Sequence, residues 1–205
     1  MDRPQIDTII FDLGGVLIDW NPRYIYRKMF EDEEKMEWFL ENVTLYEWNI
    51  KQDAGRPIAE AEAELIAKWP DWEKHIRAYY GRFNEALGGA IHQTVEILES
   101  LKNGGQYRLL ALTNWSAETF PVALERFEFL HWFEGIVVSG AEKVKKPDTK
   151  IYQILLDRYQ VDPTRAVFTD DNLANAAAAQ GLGIHAIHFQ SPMQLREALA
   201  DLLRL

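Results

Sequence analysis

Short apolar runs alternate with helical patterns along this chain, and that alternation constrains its fold more than any other feature. The first run covers residues 6–11, and four more follow at residues 107–112, 136–138, 166–168 and 184–189. Each run is mainly apolar rather than strictly alternating, as is typical of strands buried on both faces. Strands separated by helices form right-handed βαβ units. The sequence therefore predicts an α/β fold with a doubly wound, Rossmann-like parallel sheet.

The stretch that follows the first run has a different pattern. Residues 19–90 contain no convincing strand and are expected to form successive helices, with breaks at residues 21–22, 54–57, 69–70 and 88–89. An insert after the first strand of a parallel sheet lies above the carboxyl ends of the strands, where a lid belongs. We therefore predict a core formed by residues 1–18 and 91–205 and an inserted helical cap formed by residues 19–90.

Two helix ends are marked by their residues. Ser191 and Gln194 form a capping box with Pro192 in the first turn, which predicts a final helix. Gly181 follows an alanine-rich helical stretch and is expected to end that helix as its C′ residue.

The composition excludes several classes of partner. The 205 residues include 32 acids and 22 bases, a net charge of −10, so neither nucleic acid nor an anionic membrane is an expected partner. No cysteine is present, which excludes disulfides, thiolate nucleophiles and cysteine-bound zinc. The apolar runs are too short to span a membrane, and no signal-peptide core precedes the first run. We expect a cytoplasmic monomer or homodimer that acts on a small molecule.

Polar side chains follow the predicted strands at the point where each strand ends. In run order they are Asp12, Thr113 with Asn114, Lys146, and Asp170 with Asp171, and Asn175 follows closely. The carboxyl ends of parallel strands meet at one edge of the sheet, where ligands bind. We therefore expect an aspartate, a hydroxyl, a lysine and an acidic pair to lie close together.

That set of side chains has a coherent chemical interpretation. Clustered carboxylates repel one another unless a cation lies between them, and ligands that offer only oxygen favour Mg²⁺. A metal beside a lysine and a hydroxyl suits a phosphoryl group, and Asp12 is then placed to attack phosphorus. Each residue alone has an ordinary alternative, such as a turn for Asp12, a helix cap for Thr113 and a solvated face for Lys146. Their joint order favours the phosphoryl site.

Four segments carry a resemblance to a known family: residues 11–17 (FDLGGVL), 112–114 (LTN), 145–148 (KKPD) and 167–172 (VFTDDN). Their identity and order resemble the haloacid dehalogenase superfamily, in the branch with a helical, C1-type cap inserted after the first motif. The chain is similar to α-D-glucose-1-phosphate phosphatase-like members and to the phosphatase domain of soluble epoxide hydrolase. The resemblance covers nearly the whole chain.

The resemblance implies a role for each residue. Asp12 is the expected nucleophile, Thr113 the expected donor to a phosphoryl oxygen, and Lys146 the expected neutralising charge. The implied phosphate-binding set is Asp12, Gly14, Thr113, Asn114 and Lys146. The implied Mg²⁺ ligands are Asp12, the backbone carbonyl of Gly14, and Asp171, with Asp170 and Asn175 in support.

Gly14 is a departure from the family pattern. Most phosphatases of this family carry a second aspartate here, which serves as general acid and base. Loss of such a group typically costs on the order of 10²–10⁴-fold in rate. Asp19, at the entrance to the cap, is a candidate replacement, and Arg56 and Trp115 are further candidates for contact with the substrate.

We therefore predict a Mg²⁺-dependent phosphatase for small phosphorylated metabolites, such as sugar phosphates, that acts through an aspartyl-phosphate on Asp12. Two alternatives stay open. One is a 2-haloacid dehalogenase of the same fold, although the pair Asp170 and Asp171 favours phosphoryl transfer. The other is a non-catalytic phospho-ligand-binding protein, because Gly14 lacks the acid/base group.

Overall fold

The computed structural model describes residues 5–203. Its strands are β1 Thr8–Phe11, β2 Ile18–Trp20, β3 Leu87–Ala90, β4 Arg108–Thr113, β5 Gly135–Val138, β6 Ala166–Asp170 and β7 His185–His188. Its α-helices are α1 Arg23–Tyr26, α2 Glu33–Asn42, α3 Tyr46–Asp53, α4 Ile58–Lys68, α5 Glu73–Gly81, α6 Phe83–Ala86, α7 His92–Gly104, α8 Phe120–Arg126, α9 Ser139–Glu142, α10 Thr149–Tyr159, α11 Leu173–Gly181 and α12 Pro192–Leu203.

Five strands form a parallel sheet in the order β5-β4-β1-β6-β7. All five coincide with the apolar runs that predicted them. Successive residues of the strands point to opposite faces, and each face is covered by helices. On one face Ile9 and Leu109 pack in a cluster with α7 and α12. On the other face Ile10 and Leu110 pack with α10 and α11, so the predicted doubly wound α/β fold is confirmed.

The stretch between β1 and α7, called the helical stretch below, is mostly helical and has a hydrophobic core of its own. That third cluster is formed by residues of α1 to α6 and their connections, with Tyr26, Phe39 and Trp48 among its buried aromatic side chains. The expectation that residues 19–90 contain no strand is wrong at both ends. β2 and β3 pair antiparallel there, with Ile18 opposite Ala90. They join the helical stretch to the five-stranded sheet and its flanking helices, called the sheet domain below. We keep residues 19–90 as the proposed cap.

The two predicted helix ends have different outcomes. Half of the predicted capping box forms, since the Gln194 backbone N–H donates to Ser191 Oγ at 3.2 Å at the start of α12. The Gln194 side chain accepts the Gln190 backbone N–H at 3.3 Å instead of that of Ser191. The assignment of Gly181 as the C′ residue is wrong, because α11 includes Gly181 and the left-handed residue is Gly183, at φ 88°. No helix within residues 5–203 is long and apolar enough to cross a membrane.

Candidate active site

The site lies at the edge of the sheet where the strand order reverses. In the sheet, β4 and β5 lie on one side of β1, and β6 and β7 lie on its other side. A crevice opens beyond the carboxyl ends of the strands at such a point. Asp12 directly follows β1, Thr113 ends β4 and Asp170 ends β6.

Lys146 joins two of the expected carboxylates. Its ammonium lies 3.0 Å from Asp12 Oδ1 and 2.6 Å from Asp170 Oδ2, and it donates to the Leu112 carbonyl at 2.7 Å. The lysine is buried, and burial disfavours its charged form. Asp12 and Asp170 outweigh that effect and raise the pKa of Lys146. Lys146 therefore stays a cation at the floor of the site.

Asp170 accepts three further hydrogen bonds, from two residues. Its Oδ1 accepts the Asn172 backbone N–H at 2.8 Å, and the Asn175 side-chain amide donates to Oδ1 at 3.0 Å and to Oδ2 at 3.1 Å. The Asn175 carbonyl in turn accepts the Tyr152 hydroxyl at 2.8 Å. Asp170 and Asn175 thus fix the position of Lys146, which suits the supporting role expected of them.

Three carboxylates converge on one point, with ligand oxygens of Asp12, Asp170 and Asp171 within 4.8 Å of one another. Burial raises the pKa of Asp12, Lys146 lowers it, and Asp170 and Asp171 raise it further. Burial and Asp170 also raise the pKa of Asp171. One ammonium facing three carboxylates leaves negative charge uncompensated, and an all-oxygen donor set suits Mg²⁺. The residues present therefore fit a divalent cation.

The turn after β1 leaves room for Asp171. Gly15 has φ 74°, a left-handed value that favours glycine, and a Cβ there would lie 2.9 Å from Asp171 Cγ and closer still to Oδ2. Gly14, by contrast, has no atom within 4 Å of the position of a Cβ. The absence of a side chain at Gly14 therefore leaves open space at the site.

The other core residues lie beside this cluster. Thr113 is fully buried, and its Oγ1 has no hydrogen-bond partner within residues 5–203. The Asn114 side chain accepts the Lys146 backbone N–H at 2.8 Å and donates to the Lys146 carbonyl at 3.0 Å. Asn114 therefore positions the loop that carries Lys146, and the phosphate-binding roles of Thr113 and Asn114 stay predictions.

A cavity of about 250 Å³ lies between this floor and the helical stretch. Its floor includes Asp12, Gly14, Asp171 and Asn175. Its wall is mostly aromatic and amide, and is formed by side chains that include Trp20, Tyr46, Asn49, Asp53, Tyr80, Phe83 and Trp115. Within the described part of the chain, no arginine, lysine or histidine is among the lining residues.

Some expected substrate contacts lie elsewhere. Asp19 does not line the cavity, and its Oδ2 accepts the Tyr24 hydroxyl at 2.7 Å. Arg56 donates to Gln52 Oε1 at 2.8 Å and to Glu64 Oε2 at 2.6 Å, so it stabilises the end of α3 instead. Trp115 does line the cavity.

Sequence reasoning missed the wall residues Tyr46, Asn49, Asp53 and Tyr80. They belong to α3 and α5, and no motif marks them. Only the packing of the helical stretch on the sheet domain brings them to the cavity.

Comparison with known proteins establishes the family. The family model described as "Haloacid dehalogenase-like hydrolase" matches residues 9–189. The chain belongs to the haloacid dehalogenase-like hydrolases. Phosphatases are among its relatives. A phosphorylated carbohydrates phosphatase from Thermotoga maritima is 26% identical over 89% of this chain and 84% of its own. A sesquiterpene phosphatase, astK, from Aspergillus oryzae is 27% identical over 92% and 94%.

Solved structures share the fold. A family enzyme from Bacteroides thetaiotaomicron, in complex with magnesium and inorganic phosphate, matches with a TM-score of 0.67 at 22% identity, over 90% of this chain and 94% of its own. An L-2-haloacid dehalogenase from Xanthobacter autotrophicus matches with a TM-score of 0.64 at 16% identity, over 96% and 83%. The same fold thus occurs in a protein that binds magnesium and phosphate and in a dehalogenase, so the shared fold alone does not identify the reaction of this chain.

Proposed function

We propose that this hydrolase is a Mg²⁺-dependent phosphatase for small phosphorylated metabolites, acting through an aspartyl-phosphate on Asp12. The observation that carries the proposal is the convergence of Asp12, Asp170 and Asp171 beside Lys146. These side chains suit a site that binds a cation and a dianionic phosphoryl group at the same time. The phosphatase relatives support it. We keep the expectation of a cytoplasmic protein as part of the proposal.

The proposed nucleophile is oriented by its neighbours. Asp12 Oδ1 accepts the Leu13 N–H at 2.7 Å and faces the Lys146 ammonium, whereas Oδ2 has no hydrogen bond within the described residues. Oδ2 is therefore the oxygen available to attack phosphorus. Asp12, Asp171 and the Gly14 carbonyl would hold Mg²⁺, which, when bound, withdraws charge from the phosphoryl oxygens.

The cavity wall favours a leaving group without charge. A substrate with a second phosphate or a carboxylate needs a cationic partner, and the wall offers no such side chain. Aromatic rings and the Asn49 amide suit a hydroxylated or apolar group. We therefore propose monophosphates of small uncharged alcohols, with sugar monophosphates first among them. The same charge argument disfavours a 2-haloacid, whose carboxylate would face three aspartates.

The test is a screen for phosphate release with and without Mg²⁺. We expect the purified protein to hydrolyse p-nitrophenyl phosphate and sugar monophosphates only with the metal. Asp12→Asn should abolish turnover, because the amide is not a nucleophile. Phosphate binding without any turnover would favour the non-catalytic alternative. Release of halide from 2-chloropropionate without added metal would overturn the proposal in favour of a dehalogenase.

A further inference from the structure

Departure of an alkoxide from phosphorus needs a proton, and Gly14 provides none. We propose that Asp53, the last residue of α3, is the general acid and base of this site, an inference that rests on the proposed phosphatase function. Asp53 lines the same cavity as Asp12 and comes from the opposite wall. That is the side on which a leaving group lies when Asp12 attacks in line.

The other titratable side chains that line the cavity are unsuited to this role. Asp12 and Asp171 belong to the nucleophile and metal positions. Tyr80 is committed, since its hydroxyl donates to Asn49 Oδ1 at 2.8 Å and accepts the Gln52 amide at 2.9 Å. Tyr46 is 66% exposed, at the rim of the cavity. Asp53 is the carboxyl group that remains.

Contacts between the helical stretch and the sheet domain hold Asp53 in place. Gly55, at φ 92°, packs so closely on α9 that a Cβ there would lie 2.9 Å from the Gly140 carbonyl and 2.9 Å from Lys143 Cγ. The Ile58 backbone N–H donates to Glu118 Oε1 at 2.7 Å. Gly55 lies two residues after Asp53 and Ile58 lies five residues after it, so these contacts hold the end of α3 against the sheet domain.

The charge around Asp53 suits a group that exchanges a proton near neutral pH. Burial raises the pKa of Asp53 to about 7, and Lys145 and the backbone amide of Ser116 act in the opposite direction. Burial raises the pKa of the phenols of Tyr46, Tyr79 and Tyr80, and the charge of Asp53 contributes to raising each of them further. These phenols stay neutral, so Lys145 is the charged group that acts on Asp53.

The proposed reaction has two steps, and Asp53 gives up a proton in the first and regains one in the second. Asp12 Oδ2 forms a bond to phosphorus as the bond from phosphorus to the leaving oxygen breaks, and the Asp53 carboxyl gives its proton to that oxygen. The alcohol departs, and Asp53 is left as a carboxylate. Water then attacks the aspartyl-phosphate from the same side and gives a proton to Asp53. The bond from phosphorus to Asp12 breaks, which releases phosphate and restores both aspartates.

The test compares two substrates of similar size, phenyl phosphate and p-nitrophenyl phosphate. Nitrophenolate leaves without a proton, whereas phenolate, with a pKa near 10, benefits from one. In Asp53→Asn we expect kcat/KM for phenyl phosphate to fall by about 10²-fold or more, with p-nitrophenyl phosphate changed by less than about threefold. In the wild type, kcat/KM for phenyl phosphate should fall as the pH rises through about 7, where Asp53 loses its proton. Asp53→Asn should show no such decline.

Two further variants separate this role from a structural one. Asp19→Asn removes a carboxylate outside the cavity and should leave the ratio of the two substrates unchanged. Asp53→Glu retains the carboxyl group, so the ratio of its kcat/KM values for the two substrates should stay close to that of the wild type. Thermal unfolding shows whether Asp53→Asn folds, and Asp53→Glu keeps the test valid if it does not. An equal loss on both substrates, or a loss confined to KM, would overturn the assignment of Asp53. Failure of the wild-type protein on both substrates would instead overturn the phosphatase proposal itself.

Discussion

Gly15→Ala tests whether the turn after β1 is shaped around Asp171. The alanine methyl group would enter the space of the Asp171 carboxylate, since its carbon would lie 2.9 Å from Cγ and closer to Oδ2. Ordinary carbon contacts lie near 3.5–4.0 Å, so the carboxylate has to move by roughly 1 Å. Displacement of a ligand by that amount should weaken Mg²⁺ binding about 10–100-fold.

Gly15→Ala also has a conformational cost in folding free energy, which a control variant can measure separately. A residue other than glycine at φ 74° loses about 1–2 kcal/mol of folding free energy. Gly105 has a similar φ of 62°, and no atom lies within 4 Å of the position of its Cβ. Gly105→Ala therefore carries the conformational cost without the contact. Gly14→Ala keeps the backbone carbonyl and meets nothing within 4 Å, so it controls for an added methyl group in the same turn.

The assay is titration calorimetry with Mg²⁺, together with urea unfolding in the absence of the metal. We expect Gly15→Ala and Gly105→Ala to lower the free energy of unfolding by comparable amounts. Only Gly15→Ala should weaken Mg²⁺ binding. Equal Mg²⁺ affinities for the two variants would refute the assignment of Asp171 as a ligand.

Three other changes have defined outcomes. In the Asp53→Asn background, Gly14→Asp should raise kcat/KM more for phenyl phosphate than for p-nitrophenyl phosphate, because the new carboxyl enters open space and supplies the proton that Asp53 no longer gives; equal gains would contradict this. Lys146→Met leaves Asp12 and Asp170 buried without their cation, so urea unfolding should show a loss of about 3–5 kcal/mol without Mg²⁺; a loss below about 1 kcal/mol would show that the carboxylates are neutral. Asn175→Ala removes the amide bonded to Asp170 and should cost about 1.5–3 kcal/mol. Its control, Asn172→Ala, removes only a helix cap and should cost about 1 kcal/mol.

The sheet was predictable because its strands are buried on both faces. Runs such as Ile9–Ile10 and Leu109–Leu110 contribute one residue to each of the two hydrophobic clusters, so an unbroken apolar segment is required. The ribbon of β2 and β3 escaped prediction for the opposite reason. It is short, contains Gly88 and Gly89, and depends on pairing between the two ends of the helical stretch. Such strands carry little local preference.

The floor of the site was predictable for the same reason as the sheet. Asp12 follows β1, Asp170 ends β6, and Lys146 lies in the loop that follows β5 and the short helix α9, so the topology brings them to one edge. Asp53 ends a helix, and nothing in its neighbourhood distinguishes it from a surface carboxylate. Its place in the cavity depends on the docking of Gly55 against Gly140, a close approach that local sequence does not encode.

The floor and the wall of the cavity use their acidic residues in different ways. At the floor, Asp12, Asp170 and Asp171 share a single lysine, so a dianionic phosphoryl group needs a cation to enter with it. The phosphoryl ligand and the cation must therefore increase each other's affinity for the protein by the same factor. Asp53 lies on a wall of aromatic and amide groups, where burial favours its neutral form. A neutral carboxyl adds no repulsion toward the phosphate and can still give a proton. In the proposed mechanism, the separation of these carboxylates between two parts of the fold would let one acidic cavity bind an anion and protonate its leaving group.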